Sequence, residues 1–477
     1  MVGLIAALGP PALAAYPVLA YCDREARRGR ATVGLRLCLA LGIGAGLSAA
    51  GYFLWLFFVG PPGTTYHVCE TAAWLAIAGF GWTRCATAGL SSTASGAIEQ
   101  TDQQAARLSA ASRSPPRQRL LTFSFVAALA LAAIGAIANY RNSPLGDWDA
   151  WTIWNQRARF LFRGGPQWRQ AFSPAFAHRD YPLLLPCSNA RLWSYLGAEA
   201  AWVPWLLGTL FTLATVGLLA AAVCRLRSQS QGVLAGLTLL GMVPFLDRGS
   251  LQYADVPLAF FLLAAVLLLA LYDASQHRRA GYLVLSGLMA GLAAWTKNEG
   301  LVLLLVLPAA RGLTTWRRNG FRGVMVEWLV WTVGVLPPLA LVVIQKLCLA
   351  GGNEFVTGQS WSVLLAKLAD PWRYAMIAQA FAVHAMRIAR PFAVVAPLYY
   401  LLIGRRKHST DAGSLPTACA VLLLMLAAYF AIYLVTPCEL GWHLATSAER
   451  LLLHLTPLGV WILFLGLATP EEIISCP

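Results

Sequence analysis

Long apolar runs alternate with short polar loops along most of the chain. The runs occupy about 1–21, 33–59, 67–89, 119–139, 203–224, 231–246, 254–272, 281–296, 299–313, 325–344, 388–403, 415–435 and 451–468. Most approach or exceed the roughly 18 residues an α-helix needs to cross a bilayer. The pattern predicts an all-α polytopic membrane protein with about 13 transmembrane helices, by the same length criterion. A β-barrel would show short segments of alternating polarity instead. The runs at 281–296 and 299–313 are short and meet at Lys297-Asn298-Glu299. That is the pattern of a helical hairpin whose tip reaches the membrane surface or lines a cavity.

One stretch interrupts the pattern. From Leu145 to Trp193 the chain reads LGDWDAWTIWNQRARFLFRGGPQWRQAFSPAFAHRDYPLLLPCSNARLW, with three acids and five tryptophans. It is the core of the longest part without a spanning apolar run. A charged, aromatic loop on a membrane scaffold is where chemistry is expected, and short interfacial helices are expected within it.

Composition sharpens this picture. The chain is 58% hydrophobic and 12% charged, about half the charged fraction of a soluble domain. Its net charge of +15 sits largely in short loops: DREARRGR (23–30), 107–119, 224–227, 277–279, 311–322 and 404–408. With the runs above, all of these loops fall on one side, the cytoplasm by the positive-inside rule. The charge therefore needs no nucleic-acid partner. The N-terminus is expected outside and the C-terminus inside, with loops 145–193, 345–374 and 437–450 facing outward. The ten cysteines show no CxxC or Cys/His ligand spacing, so neither a metal site nor a cofactor is expected. The N-terminal run has no cationic start and no evident cleavage site, and reads as a retained helix. A small, polar, Ser-Pro-Pro-containing segment at 91–118 reads as a cytoplasmic linker. It separates a three-helix N-terminal membrane extension (1–90) from a catalytic core (119–470) with outward loop 140–202.

The outward residues offer a limited set of chemical candidates. Asp147 and Asp149 lie among Trp148, Trp151 and Trp154. Interfacial tryptophans are common, but two carboxylates among them suit a general base for an acceptor hydroxyl or amine. His178-Arg179-Asp180-Tyr181 precedes Pro182. Asp180 either caps a following helix, or the group holds a phosphate, for which the arginine fork is well shaped. Asp255 opens an apolar run, where an ionisable group is costly and so points to function; the alternative is a helix cap. Lys297 and Glu299 either neutralise each other, or Lys297 faces an anionic headgroup. His443 and Arg450 close the outward set, Arg450 as a phosphate ligand or an interfacial anchor.

In order, DWDAWTIWNQRA, HRDYPLLLP, QYADVPLAFF, WTKNEG and WHLATSAERLLLHLTP resemble the GT-C superfamily of membrane glycosyltransferases. The likeness is to the branch of protein mannosyltransferases, lipid A aminoarabinose transferases and related bacterial sugar transferases, over about 119–468. It implies a GT-C-like core and an inverting transfer, and since the sequence shows no metal-ligand cluster the transfer is expected to be metal-independent. The donor is a polyprenyl-phosphate-linked sugar and the acceptor a lipid, glycan or protein, on the outer face of a bacterial cell (inner) membrane. It makes the loop acid the general base, Asp149 ahead of Asp147, and gives Asp255 an orienting role. Asp180 and Tyr181 stand where aminoarabinose transferases carry Glu-Lys, so Arg179 or Lys297 is expected to take the place of that lysine. The competing reading is a transporter or flippase of lipid-linked sugars. It predicts polar helices facing a central path and an internal repeat, whereas the polar residues here concentrate outside the runs.

Overall fold

A computed structural model describes residues 2–23, 29–92, 116–275, 278–350, 360–406 and 414–474. At its centre is the helix Asp255–Ala274, apolar on every face between its terminal acids. A helix of that kind belongs in a protein core or a membrane span; here other helices enclose it, and Asp255 to Tyr272 are all buried. Helices Trp202–Leu226, Ala280–Thr296 and Leu440–Gly466 pack around it. At the rim, Pro116–Asn142 turns almost all of its apolar surface outward, which lipid tails accommodate at no cost.

The described residues form a polytopic all-helical protein, with an isolated antiparallel bridge between Arg405 and Leu467. Eight helices are long and apolar enough to cross a membrane, or up to ten if two bent pairs each count as one span. The expected thirteen are not all spans by this measure. Ala280–Thr296 is short, Thr64–Ser92 carries His67, Glu70 and Arg84, and two of the runs merge into the 50-residue element Glu299–Cys348. That element breaks at Gly320, whose φ of +66° is available to glycine at little cost. The break falls within the basic run 311–322, and the chain beyond it returns along Ala280–Thr296. There Gly287 and Gly334 permit close approach: a Cβ on Gly287 would lie 2.0 Å from the Trp331 carbonyl oxygen. Small residues play this part where helices cross in lipid.

The bent pairs are Gln229–Leu240 with Val243–Ser250, at 68°, and Pro371–Ile388 with Arg390–Ile403, at 73°. The sequence reading places Pro371–Ile388 partly in a loop. Arg373, Gln379, His384 and Arg387 interrupt its apolar pattern.

The two ends of the bundle differ in chemistry. At one end Asp23 pairs with Arg36 at 3.2 Å and Arg225 at 2.6 Å, and accepts from Tyr282. Arg311 pairs there with Asp273 at 2.7 Å and Glu327 at 2.9 Å. Arg227 reaches the Leu467 carbonyl at 2.8 Å, beside the Arg405 bridge. These contacts gather the basic loops after Cys22, Val223, Ser275, Ala310 and Ile403. Asp255 sits at the other end of its helix, about 27 Å from Asp273 by helical rise. The N-terminal helices close on this second end through buried Arg191, which pairs with Glu70 at 2.7 Å and donates to the Ala7 carbonyl at 2.8 Å. Of the expected 91–118 linker, residues 93–115 lie outside the described residues, as do 24–28, 276–277, 351–359 and 407–413 of the loops.

Candidate functional site

The Leu145 loop folds as a π-helical turn at Ala150–Trp154, a helix at Asn155–Arg163 and a 3₁₀ stretch at Gly165–Phe172. A chain of buried amides docks it beside the entry to the central helix. Asn189 donates to Asn155 at 3.0 Å, Asn155 to Gln252 at 2.7 Å, and Gln252 to the Pro144 carbonyl at 3.0 Å. The backbone N–H of Asp147 also donates to the Leu251 carbonyl at 3.3 Å. Residues far apart in the chain thereby hold Asp149 over Asp255.

Arg450 joins the two acids. Its Nη2 lies 2.7 Å from Asp149 Oδ2, and its Nε lies 3.0 Å from Asp255 Oδ2. The other oxygen of Asp255, Oδ1, lies 2.8 Å from Lys297 Nζ and 2.7 Å from His454 Nε2. Lys297 also pairs with Glu299 at 2.9 Å. Burial works against the Lys297 ammonium, but Asp255 and Glu299 outweigh it and hold its pKa above the usual lysine value. Asp255 is fully buried, so its charge is carried by these three partners. Neither Asp255 nor Asp180 caps a helix: Ala254 and Leu183 occupy those cap positions.

A cavity of about 310 Å³ opens against this cluster. Lys297, Glu299 and Arg450 line its charged wall, Tyr181 and His443 its aromatic flank, and Val302, Ile432, Val435 and Leu451 its apolar wall. Burial raises the Tyr181 phenol well above its usual pKa, so it keeps its proton at neutral pH. A lining that holds both cations and aliphatic side chains suits an amphiphile whose charged head meets the cations.

Residues 189–343 match the family model described as dolichyl-phosphate-mannose-protein mannosyltransferase. That family is of the GT-C type. The match supports a membrane glycosyltransferase with a polyprenyl-phosphate-linked sugar donor. No curated protein and no solved structure matches the chain. The mannosyltransferase match covers about a third of the chain, a narrower stretch than the expected 119–468. Asp255, Lys297, Asn298 and Glu299 fall within it, while Asp149, Asp180 and Arg450 lie outside.

The remaining candidates take varied places around this mannosyltransferase-like segment. Asp147 is half-exposed and pairs with Arg248 at 3.3 Å. Arg248 and Arg450 both lie over the Tyr253 ring, at 4.7 and 4.8 Å from its centroid. His178, at φ +54°, stacks on Tyr181 at 4.6 Å, and Tyr181 stacks on Trp154 at 5.6 Å. Asp180 is buried and accepts from Asn298 at 2.8 Å; Lys346 donates to its carbonyl at 2.9 Å. Arg179 is half-buried and makes no ion pair or side-chain hydrogen bond among the described residues. His443 shares a hydrogen bond with Thr436 at 2.9 Å.

Three participants escaped the sequence reading. Lys346 ends a long apolar helix, where a lysine reads as an interfacial anchor. Arg248 lies in the bent short helix Val243–Ser250. His454 stands within LLLHLTP, and an ionisable residue inside a spanning run was the available signal. Among the described residues, no three His, Cys, Asp or Glu side chains are placed to hold a metal ion.

Proposed function

We propose that the protein transfers a sugar from a polyprenyl-phosphate-linked donor to an acceptor (lipid, glycan or protein) at the outer face of the cell membrane. The observation that carries this reading is the cavity lined by Lys297 and Arg450, the latter paired with Asp149. The family match in the segment holding Asp255 and Lys297 supports it. In this reading 119–470 is the catalytic core, 1–90 an added three-helix extension, and the site end of the bundle faces outward. The N-terminus then lies outside and the C-terminus lies with the arginine loops, in the cytoplasm of a bacterial cell.

The donor phosphate sits against Arg450 and Lys297, and its prenyl chain leaves along the apolar wall. Asp149 takes the proton of the acceptor as its oxygen or nitrogen attacks the anomeric carbon from the face opposite the phosphate, inverting that centre. The carbon–oxygen bond to phosphate breaks and its electron pair leaves on the phosphate. Cations already fixed in place stabilise that developing charge without reorganisation. Asp255 holds both cations and touches neither reacting atom. Tyr181 and His443 flank the sugar, with His178 and Arg179 at the rim. The reaction is metal-independent in this scheme. The test is transfer of labelled sugar from polyprenyl-phosphate donors by the purified protein in lipid vesicles, with and without a chelator. Activity lost to chelation and restored by a divalent ion would overturn metal independence. Movement of lipid-linked sugar across the bilayer without any transfer would overturn the transferase reading in favour of a flippase.

A further inference from the structure

The charges at the site do not balance. Three carboxylates, Asp149, Asp255 and Glu299, face two permanent cations, Lys297 and Arg450. An anionic phosphate entering the cavity finds both cations already paired, so to gain a direct contact it has to take a cation edge from one of the carboxylates. The three are not equally held. Asp255 is fully buried and touches Lys297, His454 and Arg450. Glu299 shares Lys297 with Asp255 and lies on the cavity wall. Among the described residues Asp149 has a single tether, Arg450 Nη2 at 2.7 Å, and its side chain keeps 17% exposure. Arg450 Nε stays fixed to Asp255 whatever Nη2 does.

Nη2 of Arg450 is therefore the donor that can change partners without uncoupling its side chain from the bundle. An Asp149 oxygen held against the guanidinium is also turned away from an acceptor, so the base has to be released before it can meet the acceptor's proton. We propose that Asp149 and the phosphate of the polyprenyl substrate compete for the same guanidinium edge of Arg450, so that phosphate binding frees the base. Arg450 then acts as a positioning residue for Asp149 as well as a phosphate ligand. The exchange also keeps charge level through the reaction. As the leaving phosphate gains its second negative charge, Asp149 gains the acceptor's proton and loses its own. This inference rests on the transferase reading for the role of Asp149, but its test measures binding alone.

The experiment titrates the full-length protein in lipid nanodiscs with a short-chain polyprenyl phosphate and reads the dissociation constant. Asp149→Asn, which keeps the shape and removes the competing charge, is expected to bind about 5- to 150-fold more tightly, the range usual for coupled sites. Asp147→Asn removes the same charge nearby without touching Arg450, and is expected to stay within about twofold, as for a weak exposed pair. Arg450→Lys is expected to bind more weakly than wild type, because an ammonium lacks the fork that spans two anions. Equal or weaker binding by Asp149→Asn overturns the proposal. So does tightening by Glu299→Gln alone, which would move the exchange to Lys297. Sugar transfer measured on the same samples keeps the two readings apart. Tightened binding without transfer from any donor would sink the transferase reading and leave the exchange standing. Transfer without tightening would do the reverse.

Discussion

Replacing Lys297 by methionine removes the ammonium shared by the buried Asp255 and the cavity-lining Glu299. Its side chain is 4% exposed, 2.8 Å from Asp255 and 2.9 Å from Glu299. At an effective dielectric constant near 20, a contact of that length is worth about 6 kcal/mol before desolvation is subtracted. Breaking a buried pair from one side costs about 3–5 kcal/mol net, because the charge left behind has no partner. The consequence here is uneven. Asp255 keeps Arg450 and His454, whereas Glu299 has no other ion pair among the described residues. The expected destabilisation is therefore near the lower bound, about 3 kcal/mol, and most of it belongs to Glu299. The double variant Lys297→Met/Glu299→Gln should recover about 1–2 kcal/mol, since it no longer strands that carboxylate. Reversible unfolding in mixed detergent, followed by the fluorescence of the chain's 18 tryptophans, gives both numbers. A single variant within about 1 kcal/mol of wild type would refute the reasoning, because buried pairs are not that cheap to break. So would a double variant less stable than the single.

Three further expectations follow from the same contacts. Asp149→Asn should slow sugar transfer by about 10²- to 10⁴-fold, the usual worth of a general base. Asp147→Asn, which disturbs an exposed pair, should cost less than about tenfold by the same scale; equal losses in a labelled-sugar assay would undo the choice between them. Lys346→Met leaves the Asp180 carbonyl and the Asn298 amide oxygen short of a donor. It should lower stability by about 1–3 kcal/mol in the same unfolding assay. Gly287→Leu drives a side chain into the Trp331 backbone 2.0 Å from its Cβ position, and should destabilise by about 3 kcal/mol or more. Gly79→Ala, with nothing within 4 Å of the added carbon, should stay within about 1 kcal/mol of wild type.

The fold class was legible because spanning a bilayer forces apolar length into the sequence, and the expected runs fall largely on helix in the structure. The number of spans was less legible. A turn such as Gly320 costs no polarity, and an amphipathic segment such as Pro371–Ile388 hides its helix behind Arg373 and His384. At the site, Asp255, Lys297 and Arg450 stood out because charges beside apolar runs are expensive and few. That these three meet through one guanidinium, and that Asp149 joins them, depends on the Asn189–Asn155–Gln252 chain. Its members are separated by up to 97 residues, and no local pattern announces their pairing. Asp180 shows the converse. Its place before a proline suggests a helix cap, but tertiary contact with Asn298 and Lys346 decides its role.

The enclosed helix Asp255–Ala274 behaves as a strut of fixed length. Ion pairs fasten it at both ends, Asp255 to Arg450 and Lys297, and Asp273 to Arg311. It has no lipid-facing side along its buried length, so a thinner or thicker bilayer exerts no direct force on it. Adjustment to hydrophobic mismatch falls instead on rim helices such as Pro116–Asn142, which can tilt without moving Asp255. The depth of the candidate site relative to the arginine end is thereby set by the hydrogen-bonded rise of one helix, and the same spacing would persist across membranes of different thickness.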